Sequence, residues 1–387
     1  MTRAYNPDYV LITAIIALIT FGIVIMASVS PALSLKKFNT PYYYFNHQLL
    51  YGLLPGIILG YIAFKTPLEK LKKWAPALFL LNTVALIFIF VESTGVASGG
   101  ASRWLSLGPL SFQPSEFLKL SFLLYLAAWL SKSGKKHLSQ YSATRKFRGH
   151  SLLWGLSQDL FTKFIPFLIL VAIVGILLIL QPDISTLAII FLTSAAMYFI
   201  SQTPLVHTFI LVSGALGGLL FLITMAPYRL NRFLVFMSPN IDPMGLGYQI
   251  KQALIAVGSG GIFGRGLGES LQRFGFLPHP MSDSIFAVLA EETGFLGSLI
   301  LLILFALFLT RGVEIANKNH DQFSKLTSMG ICFWITMQAF INIASMIGLL
   351  PLSGIPLPFI SYGGSALVAQ LIGVGILLNI SRFSHNL

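Results

Sequence analysis

Residues 274–297 read FGFLPHPMSDSIFAVLAEETGFLG and join two kinds of sequence. The first half is a polar, proline-broken loop, and the second half begins a long apolar helix. Asp283 stands where the two halves meet, and Glu291 and Glu292 follow about two helical turns inside the apolar half. A carboxylate at the end of an apolar helix requires an explanation in a chain with few charges.

The composition indicates a membrane protein. Of the 387 residues, 55% are hydrophobic and only 10% are charged, whereas a soluble domain has about 25% charged residues. The single cysteine, Cys332, lies in an apolar run. It predicts a small buried side chain and no intrachain disulfide. The net charge of +12 does not predict nucleic-acid binding, because the basic residues do not gather on one soluble face.

Apolar segments of membrane length recur along the chain, where a bilayer core requires about 20 residues per helix. They predict an all-α polytopic membrane protein with about ten helices in a single domain, residues 1–387. The first segment is too long for a signal peptide, and nine further segments follow it. The predicted segments are 9–29, 46–64, 75–92, 114–131, 164–181, 185–201, 207–225, 285–310, 327–348 and 363–381.

The distribution of Lys and Arg predicts the orientation, because cytoplasmic loops are enriched in both. With the N-terminus in the cytoplasm, sixteen of the 25 basic residues face inward. Both termini and a basic loop at 132–163 are then cytoplasmic. Residues 226–284 form a large extracytoplasmic loop between helices 7 and 8. The inward residues are Arg3, Lys65, Lys70, Lys72, Lys73, Lys132, Lys135, Lys136, Arg145, Lys146, Arg148, Lys163, Arg311, Lys318, Lys325 and Arg382.

Several common catalytic motifs are absent from the sequence. No G-x-x-x-x-G-K-[ST] loop occurs, and the glycine run at 258–268 lacks the G-x-G-x-x-G register. No Cys/His cluster has zinc spacing, and no G-x-S-x-G elbow is present. A nucleotide-driven pump and a dedicated metal cage are therefore not predicted.

Ionisable side chains near the outer ends of the helices are the candidate site residues, because such groups usually pair or line a cavity. Glu116 and Lys119 are three residues apart and share a helix face, either as a structural pair or in a substrate cavity. Asp183 in LQPDIST is either an N-cap or a site residue. Asp283 has the same two interpretations. Arg229 and Arg232, at helical spacing, add positive charge that suits an anionic, lipid-linked substrate.

Five stretches occur in an order that closely resembles the SEDS family (shape, elongation, division and sporulation). They run from the third predicted helix to the tenth. The sequences ASRWLSLG, FQPSE and MQAFINIASMIGLLP resemble the division branch, FtsW, more than the elongation branch, RodA. The five are RWLSLGPLSFQPSEFLKL, LQPDIST, DPMGLGYQIKQALIAVGSGGIFGRGLGES, FLPHPMSDSIFAVLAEETGFLG and GLLPLSGIPLPFISYGGSAL.

The resemblance implies a peptidoglycan glycosyltransferase that polymerises lipid II at the outer face of the cytoplasmic membrane with inversion. A class B penicillin-binding protein and other division-complex membrane proteins are the implied partners. The family's essential aspartate falls on Asp283, the expected catalytic base. No cofactor is assigned, and a divalent cation at the diphosphate stays an open alternative. The expected substrate-binding residues are Arg103, Glu116, Lys119, Asp183, Arg229, Arg232, Glu292, Ser361, Gly363 and Gly364.

One stretch departs from the family. The family usually carries Glu and His, then Thr-Asp-Phe, where this chain reads HPMSDSIF. The aspartate keeps its place, but Met281, Ser282 and Ser284 replace its usual neighbours. Three other functions compete with division-type polymerisation: an elongation-type polymerase, a lipid II flippase, which would use the same intramembrane charges, and a division scaffold without catalysis.

The predicted orientation can be tested by cysteine labelling. In a background without Cys332, a membrane-impermeant thiol reagent applied outside is expected to modify Asn240→Cys in the extracytoplasmic loop. It should spare Gln140→Cys in the cytoplasmic loop until the membrane is opened. The opposite pattern would place Asp283 in the wrong compartment and overturn the proposed site.

Overall fold

The computed structural model describes residues 6–90, 95–98, 101–107, 110–144, 160–201, 203–225 and 227–383. Short π-helical segments, Leu49–Leu53 and Leu160–Phe164, lead into α3 and α6. The α-helices are α1 Tyr9–Phe38, α2 Tyr43–Gln48, α3 Leu54–Lys65, α4 Leu68–Phe88, α5 Pro114–Thr144, α6 Ile165–Leu180, α7 Ile184–Ile200, α8 Leu205–Met225, α9 Pro227–Met237, α10 Leu246–Ser259, α11 Ile285–Lys318, α12 Gln322–Met346 and α13 Gly364–Ser381.

The predicted fold class is confirmed: the chain is a helical, multi-pass membrane protein. Eight helices of the described residues are long and apolar enough to cross a membrane, and α7 is a shorter apolar helix. Each of the ten predicted segments overlaps a helix. The fourth segment, 114–131, overlaps α5, which carries Glu116 and Lys119 in its first turns. The number of crossings and the side that each loop faces stay predictions.

Most helices extend beyond the apolar segments that predicted them. α1 continues to Phe38, α4 begins at Leu68 and α11 continues to Lys318. Hydropathy marks only the part of a helix that lies in hydrocarbon. Lysine and arginine are good helix formers and therefore do not end it. α5 likewise runs into the predicted basic loop as far as Thr144, and residues 145–159 of that loop lie outside the described residues.

A small antiparallel sheet, which sequence analysis did not predict, occupies the segment between α4 and α5. Its strands are β1 Gly95–Ser98, β2 Ala101–Leu107 and β3 Leu110–Phe112, in the order β1-β2-β3. β2 pairs with both neighbours, and the register shifts between Val96 and Ala97. The sheet carries Arg103 on its central strand.

The predicted loop 226–284 contains two helices, α9 and α10. The stretch after α10 packs into an interruption of α11 at Gly294, whose φ of 69° lies in the left-handed region. The backbone N–H groups of Arg265 and Gly266 donate to the carbonyls of Glu291 and Glu292. Loop backbone thus replaces the helical bonds that the interruption removes.

The most extensive contact between two helices joins α3 and α13. A Cβ atom added to Gly375 would lie 2.0 Å from the carbonyl oxygen of Gly60. The two backbones therefore touch directly, as in small-residue interfaces of membrane helices. Asn379 supports the same interface by donating to the carbonyls of Ala63 and Thr66, at 3.4 and 2.6 Å.

Contacts distant in sequence define two ends of the helical bundle. At one end, Asp8 lies 3.6 Å from Arg311, and its N–H donates to Ser381. At the other end, which we call the site end, Arg103 donates to the carbonyl of Pro182 and Tyr362 donates to that of Met281. Four segments that were predicted to be extracytoplasmic, around residues 103, 182, 281 and 362, therefore lie at the end opposite the chain termini.

Replacement of Gly375 by Ala is expected to destabilise the protein. The added methyl group must push α3 and α13 apart, and overpacking of this kind typically costs about 1–3 kcal/mol. Thermal unfolding of the purified protein in detergent measures the effect. Gly217→Ala on α8 is the matched control, because a Cβ there meets nothing within 4 Å. Equal Tm values for Gly375→Ala and the wild type would contradict the packing described here.

Candidate active site

Asp283 lies directly before α11 and is half-buried. The hydroxyl of Ser282 donates to its Oδ1 at 2.9 Å. A Cβ on Gly354 would lie 3.9 Å from its Oδ2, so the carboxylate faces the irregular stretch between α12 and α13. Ser284, without a side-chain capping bond, is the N-cap of α11. The capping interpretation of Asp283 is therefore not the one that the structure adopts.

The backbone around Asp283 is fixed from outside its own segment. The carbonyls of residues 281, 282 and 283 each accept a hydrogen bond from a distant residue. The donors are the Tyr362 N–H at 2.8 Å, the Ser361 hydroxyl at 2.5 Å and the Asn342 side-chain amide at 2.7 Å. Three consecutive anchors restrict the positions that the Asp283 side chain can reach.

Two arginines bring positive charge to the same region. Arg103 donates to the carbonyls of Gln181 and Pro182, at 3.4 and 2.6 Å. Arg232 on α9 donates to the carbonyl of Leu352 at 3.3 Å. Burial and the positive charge of Arg103 lower the pKa of Arg232, and Tyr228 and Asp283 oppose this shift. Arg232 and Asp283 both face the irregular stretch between α12 and α13, at Leu352 and at Gly354.

Arg229 lies apart from this pair. Its Nε donates to the hydroxyl of Tyr228 at 2.8 Å, and its guanidinium carbon lies 5.2 Å from the centre of that ring. The helical spacing of Arg229 and Arg232 suggested a joint role. Their contacts in the structure differ, and a role for Arg229 in substrate binding stays a prediction.

Glu116 and Lys119 form an ion pair at 2.8 Å, and both are 3% exposed. The pair is not isolated. Lys119 also donates to Oε1 of Gln338 at 2.9 Å, and the amide of Gln338 donates to the carbonyl of Pro356 at 2.9 Å. The pair is thus connected to the irregular stretch that Asp283 faces.

Asp183 is the N-cap of α7. It is 6% exposed, and its Oδ1 accepts from the backbone N–H of Thr186 at 3.2 Å. This bond supports the capping alternative of the sequence analysis. Beside it, the hydroxyl of Ser185 donates to the carbonyl of Ser353. Direct contact between Asp183 and substrate stays a prediction.

Glu292 contacts helix α1. Its carboxylate accepts from the hydroxyl of Ser28 on α1 at 2.6 Å. Glu291, also 1% exposed, accepts from Ser270 at 2.5 Å and lies 3.4 Å from Arg265. The two glutamates join α11 to α1 and to the loop after α10. A role for Glu292 in substrate binding stays a prediction.

Ser361, Gly363 and Gly364 hold the start of α13 within the protein. The Ser361 hydroxyl accepts from the Leu357 N–H at 2.7 Å, besides its bond to Ser282. The N–H of Gly363 donates to Oε1 of Gln48 at 3.1 Å. These contacts position the site, and direct binding of substrate by the three residues stays a prediction.

Sequence analysis did not single out Gln48, Gln338 and Asn342, although each is 7% exposed or less. Each is an amide inside an apolar helix and bonds to backbone at the site end. Uncharged polar residues within apolar segments were the available signal. Among the described residues, no group of three or more His, Cys, Asp or Glu side chains could hold a metal ion.

The assembled region therefore has the Asp283 carboxylate on a rigid backbone and the guanidinium groups of Arg103 and Arg232. The irregular stretch between α12 and α13 packs beside them at the end of the helical bundle. Such an arrangement can accept a proton from a hydroxyl. Its arginines can bind an anionic group such as a diphosphate.

Solved structures share the whole fold. One is a chain of a peptidoglycan synthase complex, from a study of the structural coordination of polymerization and crosslinking. It aligns with a TM-score of 0.75 and 25% identity over 98% of this chain and 99% of that one. The rod shape determining protein RodA of Thermus thermophilus aligns with a TM-score of 0.67 and 25% identity, covering 98% of each chain.

Curated relatives match along nearly the full length. Stage V sporulation protein E of Bacillus subtilis (strain 168) is 35% identical and covers 99% of both chains. A probable peptidoglycan glycosyltransferase FtsW of Geobacter sp. (strain M18) is 34% identical and covers 98% of both. Residues 9–386 match the family described as "Cell cycle protein", which comprises FtsW, RodA and SpoVE. The chain therefore belongs to the FtsW/RodA/SpoVE family, the SEDS family of the sequence analysis.

Proposed function

We propose that this protein is a peptidoglycan glycosyltransferase that polymerises lipid II into glycan strands at the outer face of the cytoplasmic membrane. The carrying observation is the position of Asp283 at the site end, half-buried and facing the irregular stretch to which Arg232 also donates. Family membership and relatives named peptidoglycan glycosyltransferase support the reaction class.

The reaction joins two lipid-linked sugars by displacement at carbon. Asp283 accepts the proton of the acceptor's 4-hydroxyl, and the oxygen attacks the anomeric carbon of the donor's muramic acid residue. The new carbon–oxygen bond forms as the bond to undecaprenyl diphosphate breaks, and a single displacement inverts the anomeric centre. The diphosphate leaves with the bonding electrons, which Arg103 and Arg232 stabilise.

The location fits a substrate that is half lipid and half sugar. The undecaprenyl chain stays in the bilayer while the sugars stay in water, so the reacting bond lies at the boundary between them. Asp283 precedes the apolar helix α11, which begins at Ile285. A rigid helix start holds the carboxylate at that depth.

A transpeptidase partner is part of the proposal. The structural likeness to a chain of a complex that coordinates polymerization with crosslinking supports a class B penicillin-binding protein beside this chain. Other division-complex membrane proteins are expected around the pair. Pull-down of the tagged protein from mild detergent, with mass spectrometry of the captured transpeptidases, tests this association.

Septal wall synthesis is the proposed cellular role, because relatives named FtsW are 34% identical over nearly the whole chain, against 25% for RodA. The 35% identity to a stage V sporulation protein favours spore-wall synthesis as the second candidate. Depletion separates the roles: filamentous cells indicate division, rounded cells indicate elongation, and normal vegetative cells with defective spores indicate sporulation.

One assay separates polymerisation from transport and from a scaffold role. Purified protein is incubated with labelled lipid II in detergent and, separately, in vesicles. The expected result is a glycan polymer that a muramidase digests. Translocation of lipid II across the vesicle bilayer without polymer would identify a flippase. If neither polymer nor translocation is detected in the presence of the transpeptidase partner, the result would indicate a scaffold role.

Asp283→Asn is expected to abolish most polymerisation while the protein stays folded. Asparagine keeps the size and can accept the bond from Ser282, but it cannot accept the acceptor's proton. The rate should fall by about 10²-fold or more, measured with labelled lipid II at equal protein concentration.

Asp242→Asn is the matched control. The Asp242 carboxylate lies in the same extracytoplasmic segment and accepts from the N–H groups of Gly245 and Leu246, at 3.0 and 2.9 Å. Asparagine can keep one of these bonds, so activity should be near normal. A near-normal rate for Asp283→Asn would show that Asp283 is not the base.

The double variant Glu116→Gln/Lys119→Met tests whether the buried pair contributes only to the fold. Neutral groups often replace a buried ion pair without loss of stability. We expect a folded protein with polymerisation reduced on the order of 10-fold or more, because Lys119 also fixes Gln338. Polymerisation is measured with labelled lipid II.

Glu314→Gln/Arg311→Met removes another ion pair between residues three apart in sequence, at 2.5 Å. This pair is remote from the site end. This control should polymerise normally. Equal activity of the two double variants would give the buried pair no part in the site.

A further inference from the structure

Two buried amide side chains on α12 face the irregular stretch between α12 and α13, residues 347–363, which we call the Pro/Gly segment. Gln338 and Asn342 are both 0% exposed. Their spacing of four residues places them on one face of the helix, one turn apart. The proposed reaction assigns neither of them a role.

Asn342 holds two carbonyl groups at once. Its Nδ2 donates to the carbonyl of Asp283 and to that of Ile355, each at 2.7 Å. Both partners are acceptors, so only the NH₂ group fits there and both of its hydrogens are used. Within the described structure, its Oδ1 has no hydrogen-bond partner. Asn342 therefore acts as a double donor that ties Asp283 to the Pro/Gly segment.

Gln338 makes the equivalent connection to the buried ion pair. Its Nε2 donates to the carbonyl of Pro356 at 2.9 Å. Its Oε1 accepts from Lys119 at 2.9 Å and from the indole of Trp334 at 3.1 Å. Because Ile355 and Pro356 are consecutive, the two amides hold adjacent peptide groups of one segment.

We propose that Gln338 and Asn342 are positioning residues that set the distance between Asp283 and the Glu116–Lys119 pair. This inference rests on the proposed function, in which Asp283 is the base. Neither amide touches the reacting atoms. Together they form a bridge from Lys119 through Gln338, Pro356, Ile355 and Asn342 to the backbone of Asp283.

The bridge affects catalysis because the Asp283 side chain makes no capping bond to α11 and depends on its backbone anchors. Loss of Asn342 leaves the carbonyls of Asp283 and Ile355 without this donor. A displacement of about 1 Å at a reacting group can cost 10²-fold in rate. Substrate affinity should be unchanged, because in this proposal the amides do not contact the substrate.

Asn342→Leu removes both bonds while keeping a similar volume. Asn379→Leu is the matched control: Asn379 is also buried and also donates to two carbonyls, but at the opposite end of the bundle. With purified protein and labelled lipid II, Asn342→Leu should lower kcat between about 10-fold and about 100-fold with KM unchanged. Asn379→Leu should keep kcat near the wild-type value. Gln338→Leu should resemble Asn342→Leu.

A second measurement does not depend on activity. Backbone amide exchange in residues 279–286 should become faster in Asn342→Leu and stay unchanged in Asn379→Leu, because only the first loses an anchor of this stretch. If the leucine variant does not fold, Asn342→Ala replaces it, since alanine also has no side-chain donor and introduces no buried charge.

Three results would overturn the inference. Unchanged exchange in residues 279–286 would show that Asn342 does not anchor Asp283. Faster exchange with normal kcat would show that the anchor does not matter for the reaction. Equal losses of kcat in Asn342→Leu and Asn379→Leu would indicate a general effect on stability. An inactive wild type would count against the proposed function alone, because the exchange measurement still decides whether the anchor exists.

Discussion

The Pro/Gly segment, residues 347–363, has no helix or strand, yet it packs at the end of membrane-spanning helices. A backbone N–H or carbonyl without a partner there costs about 1–3 kcal/mol. Irregular backbone at this depth is tolerated only where protein or a wet cavity satisfies it. Six side chains from five helices supply the partners, namely Gln48, Ser185, Arg232, Gln338, Asn342 and Gln370.

Satisfying this backbone also assembles the site. Arg232 reaches the Pro/Gly segment from α9, and Ser185 reaches it from the start of α7, next to Asp183. At the end of the segment, Ser361 donates to the carbonyl of Ser282, and Tyr362 donates to the carbonyl of Met281. Residues far apart in sequence therefore meet because they bond to the same segment of backbone. These shared hydrogen bonds also make the site rigid.

The buried carboxylates of this protein have different tasks, which their contacts distinguish. Asp183 caps α7, Glu291 and Glu292 hold the loop after α10 and helix α1, and Glu116 pairs with Lys119. Each is 6% exposed or less. Asp283 is half-buried, and its described side-chain hydrogen bond comes from its neighbour Ser282. Partial exposure with a fixed backbone suits a group that must meet a substrate.

The sequence by itself determined the fold class, the approximate positions of the ten apolar segments, the family and the residues that carry charge. Hydropathy and motif order are local properties, so they can be read along the chain. The sheet that carries Arg103, the helices within 226–284 and the interruption of α11 at Gly294 depend on pairing between distant backbones. Only the tertiary structure decided these features. It also separated Arg232 from Arg229, turned Glu292 towards Ser28 and gave Gln338 and Asn342 their contacts. The reason is physical: a buried polar side chain takes the nearest backbone partner that the fold offers, and sequence spacing does not specify that partner.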